Sequence, residues 1–187
     1  YEFRAELLQD NPRHLAVLTR AAEEADWSRP LGAGRGRGIS LQESFGSRVA
    51  QVVEVTVTNG QLSVDRVVAV IDPGLAVAPD GIAAQLESGI IYGLTAALHG
   101  EITVDNGAVV QSNFHDYPSV RMREAPRIQT HVINSGHDIG GAGEPGTPGI
   151  APALANAMFD ATGLRIRQLP LSNFDLNYQA KEKGSVG

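Results

Sequence analysis

The chain has 187 residues and a formal net charge of −6 at pH 7, with a sequence pI near 5.3. This acidic balance argues against a nucleic-acid-binding protein, because contacts with phosphates need a basic surface. The sequence contains no cysteine, which excludes disulfides, thiolate metal sites and an iron–sulfur cluster in this chain.

The length allows one domain with a substantial core, or two small lobes. No apolar run approaches the length of a membrane-spanning helix, and the sequence does not start with a signal-like segment. The chain begins at Tyr1 without a methionine, so we expect a processed or split subunit. Processing would hide a targeting segment. We expect a soluble protein of either the cytoplasm or the periplasm, and the sequence does not distinguish the two.

The first predicted element is an amphipathic helix from Pro12 to Ala25, with one apolar face formed by Leu15, Leu18, Ala22 and Ala25. We therefore assign residues 1–31 to an N-terminal helical segment. The stretch Gly32–Gly38 follows, rich in glycine and arginine. We interpret it as a flexible surface loop, because its arginines have no acidic or aromatic partners nearby in the sequence.

Two β-hairpins are predicted from alternating apolar residues on either side of a glycine-containing turn. The strands of the first are Phe45–Thr58 and Leu62–Ile71, joined by Asn59 and Gly60. Those of the second are Glu101–Val104 and Ala108–Gln111. Two further strands are expected at Arg127–Ile133 and Arg165–Leu169.

The longest predicted helix runs from Pro79 to His99. One of its faces carries a row of small residues interrupted by a single long polar side chain, in the order Gly81, Gln85, Gly89, Gly93 and Ala97. A row of small residues admits a close neighbour, and tight packing explains the glycines more simply than ligand binding does. Gln85 differs, because its amide can both donate and accept hydrogen bonds.

The segment Gly140–Thr147 places one carboxylate, Glu144, among glycines and other small residues. Glycines let a large ligand approach the backbone closely. Pro145 fixes its own φ and favours an extended conformation at Glu144, so the acid is held in place. The apolar run that follows predicts a helix ending at Gly163, and Glu144 should lie just ahead of its N-terminus.

Other chemistries fit less well. The spacing of Gly141, Gly143 and Gly146 matches a dinucleotide-binding fingerprint, but Pro145 lacks one of the N–H groups that such a motif directs at a pyrophosphate. No pair of histidines has metal-ligand spacing, so we predict no direct metal ligand. The polar cluster at residues 115–117, which reads His-Asp-Tyr, could instead line a substrate funnel.

Four segments carry a family resemblance, namely Val70–Gly74, Gln85–Gly89, Ser112–Pro118 and Gly141–Ala157. In this order and spacing they resemble the C-terminal part of a molybdenum hydroxylase large subunit, of the xanthine dehydrogenase and aldehyde oxidase family. The most similar branch is the isoquinoline 1-oxidoreductase and aldehyde dehydrogenase type. The resemblance spans roughly Gly34 to Leu171, and Ser88 stands where the family usually has a second glycine.

The resemblance implies an α+β fold with mixed sheets and packed helices. Residues 32–171 would form the C-terminal portion of a molybdopterin-binding domain, and residues 172–187 a polar tail that is frayed at its end. The resemblance also implies that Glu144 is the catalytic base beside the molybdenum and that Gln85 and Gly143 bind the cofactor. That cofactor is expected to be molybdopterin, in its cytosine dinucleotide form.

A catalytic fragment of this kind would oxidise an aldehyde or an N-heteroaromatic with oxygen derived from water. It would be active only with partner chains, namely the other portion of the molybdenum subunit and an iron–sulfur subunit. Two alternatives remain open. Glu144 could be a surface carboxylate that stabilises a helix start by about 0.3–1 kcal/mol, or the chain could be a non-catalytic assembly domain that keeps the scaffold.

Overall fold

The computed structural model describes residues 1–174 and Leu176. The helices are α1 (Glu2–Leu7), α2 (Pro12–Glu24), α3 (Pro79–Leu98) and α4 (Ile150–Thr162). The strands are β1 (Arg35–Ser44), β2 (Ser47–Thr58), β3 (Gln61–Asp72), β4 (Val104–Asp105), β5 (Ala108–Val109) and β6 (Arg127–Val132). A 3-10 turn occupies Leu171–Asn173. The predicted frayed end, Ala180–Gly187, lies outside the described residues.

The main sheet is mixed and has the strand order β1-β2-β3-β6. The first three strands pair antiparallel, and β6 pairs parallel to β3 through the crossover that contains α3. β4 and β5 form a separate two-stranded ribbon. The predicted α+β fold with mixed sheets is therefore confirmed.

Helices cover both faces of the sheet. On one face α3 and α4 pack against Val49, Val53 and Ile71. On the other face α2 packs through Val17 and Leu18. Because neighbouring residues of β2 point to opposite faces, the strand is buried on both sides and reads as a nearly continuous apolar run.

The hairpin and helix predictions are confirmed with small shifts. Both residues of the Asn59-Gly60 turn have positive φ, 50° and 74°, as a primed two-residue turn requires. The buried face of α2 includes Val17 and Ala21, whereas Leu15 is only partly buried. Gly163 ends α4 in the left-handed conformation at φ 76°. None of the described helices is long and apolar enough to cross a membrane.

The interpretation of Gly32–Gly38 as a flexible loop is wrong, because β1 begins at Arg35 and Arg37 is buried. The Arg37 guanidinium donates to Glu54 Oε1 at 2.6 Å, and both side chains are about 95% buried. It also lies over the Trp27 ring, 5.9 Å from the centroid. Arg37 therefore has both an acidic and an aromatic partner. Glu54 lies 17 residues after it in the sequence, and Trp27 lies 10 residues before it.

The buried Arg37 also connects α2 to the sheet. Its Nη1 donates to the main-chain carbonyls of Asp26, Trp27 and Arg29, just beyond the end of α2. A buried charge is tolerated only when it is paired and hydrogen-bonded. The contacts with Glu54 and these carbonyls meet that condition, so the charge pair fixes the end of α2 against the first two strands.

The predicted last strand, Arg165–Leu169, is wrong, because this segment has no regular secondary structure. Side-chain packing holds it instead. Ile166 is buried in the core that α3 and α4 form, and the Arg165 guanidinium lies 3.5 Å from the centroid of the Phe159 ring. A short apolar pattern cannot specify a strand without a neighbouring backbone to pair with.

The end of β3 carries a buried carboxylate, Asp72, which is 1% exposed. It accepts hydrogen bonds from Arg13 Nε at 2.7 Å, from Ser135 Oγ at 2.6 Å and from the Gly74 N–H at 2.8 Å. Burial by itself would raise the pKa of Asp72. The three donors and the charge of Arg13 outweigh that effect, and the pKa lies below its ordinary value.

Replacing Gly38 with alanine should destabilise the protein strongly. A Cβ there would overlap the main chain of Ala153 and Ala157 in α4, which cannot retreat without moving the helix. We expect Gly38→Ala to lower the free energy of unfolding by about 3 kcal/mol, the upper part of the range for overpacking, measured by urea denaturation. Gly32→Ala is the control, since a Cβ there meets no atom within 4 Å. Equal effects of the two variants would contradict this packing.

Replacing Asp72 with asparagine should remove a pH-dependent part of the stability. Because the folded-state pKa is lowered, the contribution of Asp72 is present above its unfolded-state pKa of about 3.9 and is lost as the pH falls below it. We expect Asp72→Asn to cost about 2 kcal/mol at pH 7 and less at pH 3, measured by denaturant titration at both pH values. Ser135→Ala, which removes one neutral donor, should cost less. A loss that is the same at both pH values would contradict the role of the charge.

Candidate functional site

The glycine-rich segment at residues 140–147 lies at one end of the main sheet, between β6 and α4. Its first two residues pair with neighbouring loops through the main chain. The Gly140 N–H donates to the Pro73 carbonyl at 2.8 Å, and the Gly141 N–H donates to the Phe45 carbonyl at 2.7 Å. The segment is thus joined to the turn after β1 and to the loop after β3.

Three side chains from β1 and β2 bind the carbonyl groups of the same segment. Ser47 Oγ donates to the carbonyl of Gly141 at 2.6 Å. The side-chain amide of Gln51 donates to the carbonyl of Gly146 at 2.7 Å, and that of Gln42 donates to Pro145.

Sequence analysis missed all three of these donors. A signal existed only for Gln51, which is fully buried within the valine-rich strand β2. A buried polar side chain in an apolar strand indicates a specific hydrogen bond.

The glycines of the segment serve two different purposes. A Cβ at Gly140 would lie 2.8 Å from the main chain of Gly46, and one at Gly141 would lie 2.8 Å from the Cβ of Phe45. A Cβ at Gly146 would lie 2.6 Å from the carbonyl oxygen of Leu86. These three positions are glycine because the fold leaves no room. Gly143 is exposed, and a Cβ there would meet no atom within 4 Å.

Glu144 is exposed, whereas Pro145 and Gly146 directly after it are buried. Its main-chain carbonyl accepts a hydrogen bond from the Thr147 N–H at 2.9 Å, which closes a turn. Its carboxylate has no hydrogen-bond or ion-pair partner among the residues that the structure describes. A fixed backbone therefore presents a carboxylate whose oxygens are available to a ligand.

The helix-start explanation of Glu144 loses support. The N-cap of α4 is Gly149, five residues after Glu144, and the intervening residues form turns. The helix macrodipole acts mainly within its first turn. Glu144 lies outside that range along the chain, so stabilising this helix does not explain why a carboxylate stands here.

The row of small residues on α3 packs against the chain that leads into α4. A Cβ at Gly89 would lie 3.2 Å from the Cα of Gly146, and one at Gly93 would overlap the Ile150 side chain. Gln85, one turn before Gly89, is exposed, and its side-chain amide makes no hydrogen bond within the described part of the chain. Its neighbour Leu86 contacts Gly146, so Gln85 is next to the helix turn that supports the segment.

The polar cluster at residues 115–117 is not brought to this segment. Asp116 accepts hydrogen bonds from the N–H groups of Asn113 and Ser112, and these lower its pKa to about 2. Tyr117 lies beside Gly100, after the C-terminal end of α3. Fifteen residues of helix and cap separate Gly100 from Gln85, a length of about 22 Å at 1.5 Å per residue. The cluster closes its own loop at the other end of α3.

Comparison with known proteins gives a family match. A family model described as a molybdopterin cofactor-binding domain matches residues 21–126. This range includes Gln85 and ends before Gly143 and Glu144.

The chain is 37% identical to the isoquinoline 1-oxidoreductase subunit beta of Brevundimonas diminuta, over 91% of this chain and 22% of that relative. It is 30% identical to the molybdenum-binding subunit of an aldehyde oxidoreductase from Escherichia coli, over 70% of this chain and 19% of that relative. The chain therefore spans about a fifth of the length of the curated relatives it matches.

A solved structure shares the fold. The structure of reconstituted CO dehydrogenase from Oligotropha carboxidovorans matches with a TM-score of 0.59 and 26% identity, over 66% of this chain and 17% of that chain. The predicted resemblance to the molybdenum hydroxylases is confirmed. Because the family model covers more than half of the sequence, this chain belongs to the molybdopterin cofactor-binding domain family.

Proposed function

We propose that the chain is part of the catalytic subunit of a molybdenum hydroxylase and supplies its general base, Glu144. The reaction would oxidise an aldehyde or an N-heteroaromatic substrate with oxygen derived from water. The observation that carries this proposal is an exposed carboxylate without a partner in the described chain, on a segment that hydrogen bonds fix on both sides.

The fixed backbone suits a general base. Positioning the reacting groups supplies much of enzymatic catalysis, and a misplacement of 1 Å can cost about a hundredfold in rate. Glu144 is bracketed by the anchored carbonyls of Gly141 and Pro145. Its main chain is therefore constrained while its carboxylate stays accessible, and both conditions are needed for a group that accepts a proton from an attacking oxygen.

The surface around the segment leaves room for a large cofactor. Gly143 borders open space, and Gln85 offers an exposed amide that can donate and accept. We propose that both contact molybdopterin, in its cytosine dinucleotide form. The bound cofactor would supply the two-electron oxidation chemistry. Glu144 would accept the proton and would not bind the metal, because a base bound to the metal could not serve this purpose.

We also propose two partners, the other portion of the molybdenum subunit and a separate iron–sulfur subunit. This chain has no cysteine, so clusters that carry electrons away must be held elsewhere. Large apolar side chains are exposed on the loop after β3, at the Glu144 end of the sheet, including Leu75 and Val77. Exposed apolar surface of this kind is typical of an interaction face.

Replacing Glu144 with glutamine tests the proposal in the assembled enzyme. Glutamine keeps size and polarity but removes the basic oxygen, and general-base contributions are of order 10²–10⁴ in rate. We expect kcat to fall by about 10⁴ while the molybdenum content stays near that of the wild type, measured by steady-state kinetics and metal analysis.

Glu23→Gln is the matched control for this change, since Glu23 is an exposed carboxylate on α2. It should leave both measurements unchanged. Turnover of Glu144→Gln within a few-fold of wild type would refute the proposal that Glu144 is the general base. A purified wild-type complex without molybdenum would favour the alternative, a non-catalytic assembly domain.

Replacing Gln85 with alanine tests the cofactor contact. If its amide binds the pterin, Gln85→Ala should lower molybdenum occupancy or shift the midpoint potential, while the melting temperature stays within about 2 °C because the side chain is exposed. Gln61→Ala, at the start of β3 and the far end of the sheet, is the control. Unchanged occupancy, potential and turnover in Gln85→Ala would show that the contact does not exist.

A further inference from the structure

The turn between β1 and β2 contains a residue that its backbone disfavours. Phe45 and Gly46 have φ values of 53° and 76°. Two other hairpin turns adopt the same conformation, and both carry Asn-Gly, with φ values of 50° and 74° at residues 59–60 and of 48° and 81° at residues 106–107. Asparagine tolerates this region, whereas a bulky side chain is strained there. Phenylalanine thus stands where the turn itself favours asparagine.

Phe45 contacts the glycine-rich segment. Its carbonyl oxygen accepts the hydrogen bond from Gly141, and its Cγ lies 3.5 Å from where a Cβ on Gly141 would be. The root of the phenyl ring therefore lies against the main chain of Gly141. Glu144 follows three residues later, so its Cα is at most about 11 Å from that of Gly141.

Packing within the described chain does not explain the phenyl ring. Phe45 is 65% exposed, and its contact with Gly141 through the carbonyl requires no ring. Ile139 is also exposed, at 67%, one residue before Gly140. The start of the segment thus has an apolar border on the side of the β1–β2 turn. Residues that violate a local backbone preference cluster at functional sites.

We propose that Phe45 is a specificity-determining residue, whose ring forms an apolar wall for the aromatic part of a substrate that reacts at Glu144. This inference rests on the proposed function. Aromatic rings attract each other by offset stacking or edge-to-face contact in addition to the burial of apolar area. A wall of this kind increases the affinity for aromatic substrates and leaves a small aliphatic substrate without a contact.

Phe45→Asn tests the proposal in the assembled enzyme, because it removes the ring and gives the turn its preferred residue. With isoquinoline or benzaldehyde as substrate, we expect KM to rise about tenfold or more and kcat to change by less than threefold. The ratio of kcat/KM for benzaldehyde to that for acetaldehyde should fall by a similar factor. Phe45→Tyr keeps the ring and should restore the wild-type values.

A reciprocal variant separates turn strain from substrate contact. Asn59→Phe places the ring at the far end of β2, so it should lower the melting temperature without changing KM, whereas Phe45→Asn should preserve or raise the melting temperature.

An unchanged KM in Phe45→Asn overturns the proposal. A loss of subunit assembly in this variant also overturns it, because the ring would then be an interface contact. A wild-type enzyme that oxidises neither aromatic probe also overturns it. Failure of the proposed function is distinguishable from failure of this inference. If Glu144 is not the general base, kcat of Glu144→Gln stays near the wild-type value, whereas this inference is tested by KM of Phe45→Asn.

Discussion

The position of Glu144 depends on hydrogen bonds to main-chain carbonyls in a segment that has almost no side chains to pack. Residues 140–147 include four glycines, so hydrophobic contacts of their own cannot define one conformation. Donors on β1 and β2 bind three of the carbonyls instead. A buried carbonyl without a donor costs about 1–3 kcal/mol, so alternative arrangements of the segment are disfavoured. The β1–β2 hairpin therefore fixes the main chain from which the Glu144 side chain projects.

The hairpin itself is fixed by two contacts of different physical kinds. Gly38 allows α4 to approach β1 closely enough for main-chain contact, which locks the helix onto the strand. The buried pair of Arg37 and Glu54 joins the same two strands and connects them to the end of α2. Removal of one partner from such a pair would leave an uncompensated buried charge. Layers on both faces of the sheet thus contribute to the position of a single exposed side chain.

Local sequence patterns predict most helices and strands of this fold. Contacts between residues that are far apart in the sequence are not predicted by such patterns. Alternation and Asn-Gly turns predicted the hairpins, and the row of small residues on α3 predicted a close neighbour, because each signal lies within about twenty residues. The β-strand character of Arg35–Ser44 was missed because its first four residues are arginine and glycine, which give no apolar alternation. The anchors Gln42 and Ser47 were missed for a different reason, because they act across about 100 residues of chain.

The residues of the segment fall into two groups. Some are required by packing, and the others are those assigned to the proposed site. Gly140 and Gly146 lie against other main chain and Gly141 lies against the Phe45 side chain, so packing alone explains why these three residues are small. Gly143 and Glu144 lie between them: a Cβ at Gly143 would meet no atom within 4 Å, and the Glu144 carboxylate has no partner in the described chain. Packing and hydrogen bonding within the described chain therefore do not fix the identity of these two residues. The proposed function supplies a reason for both, because a cofactor would approach the backbone at Gly143 while Glu144 accepts a proton.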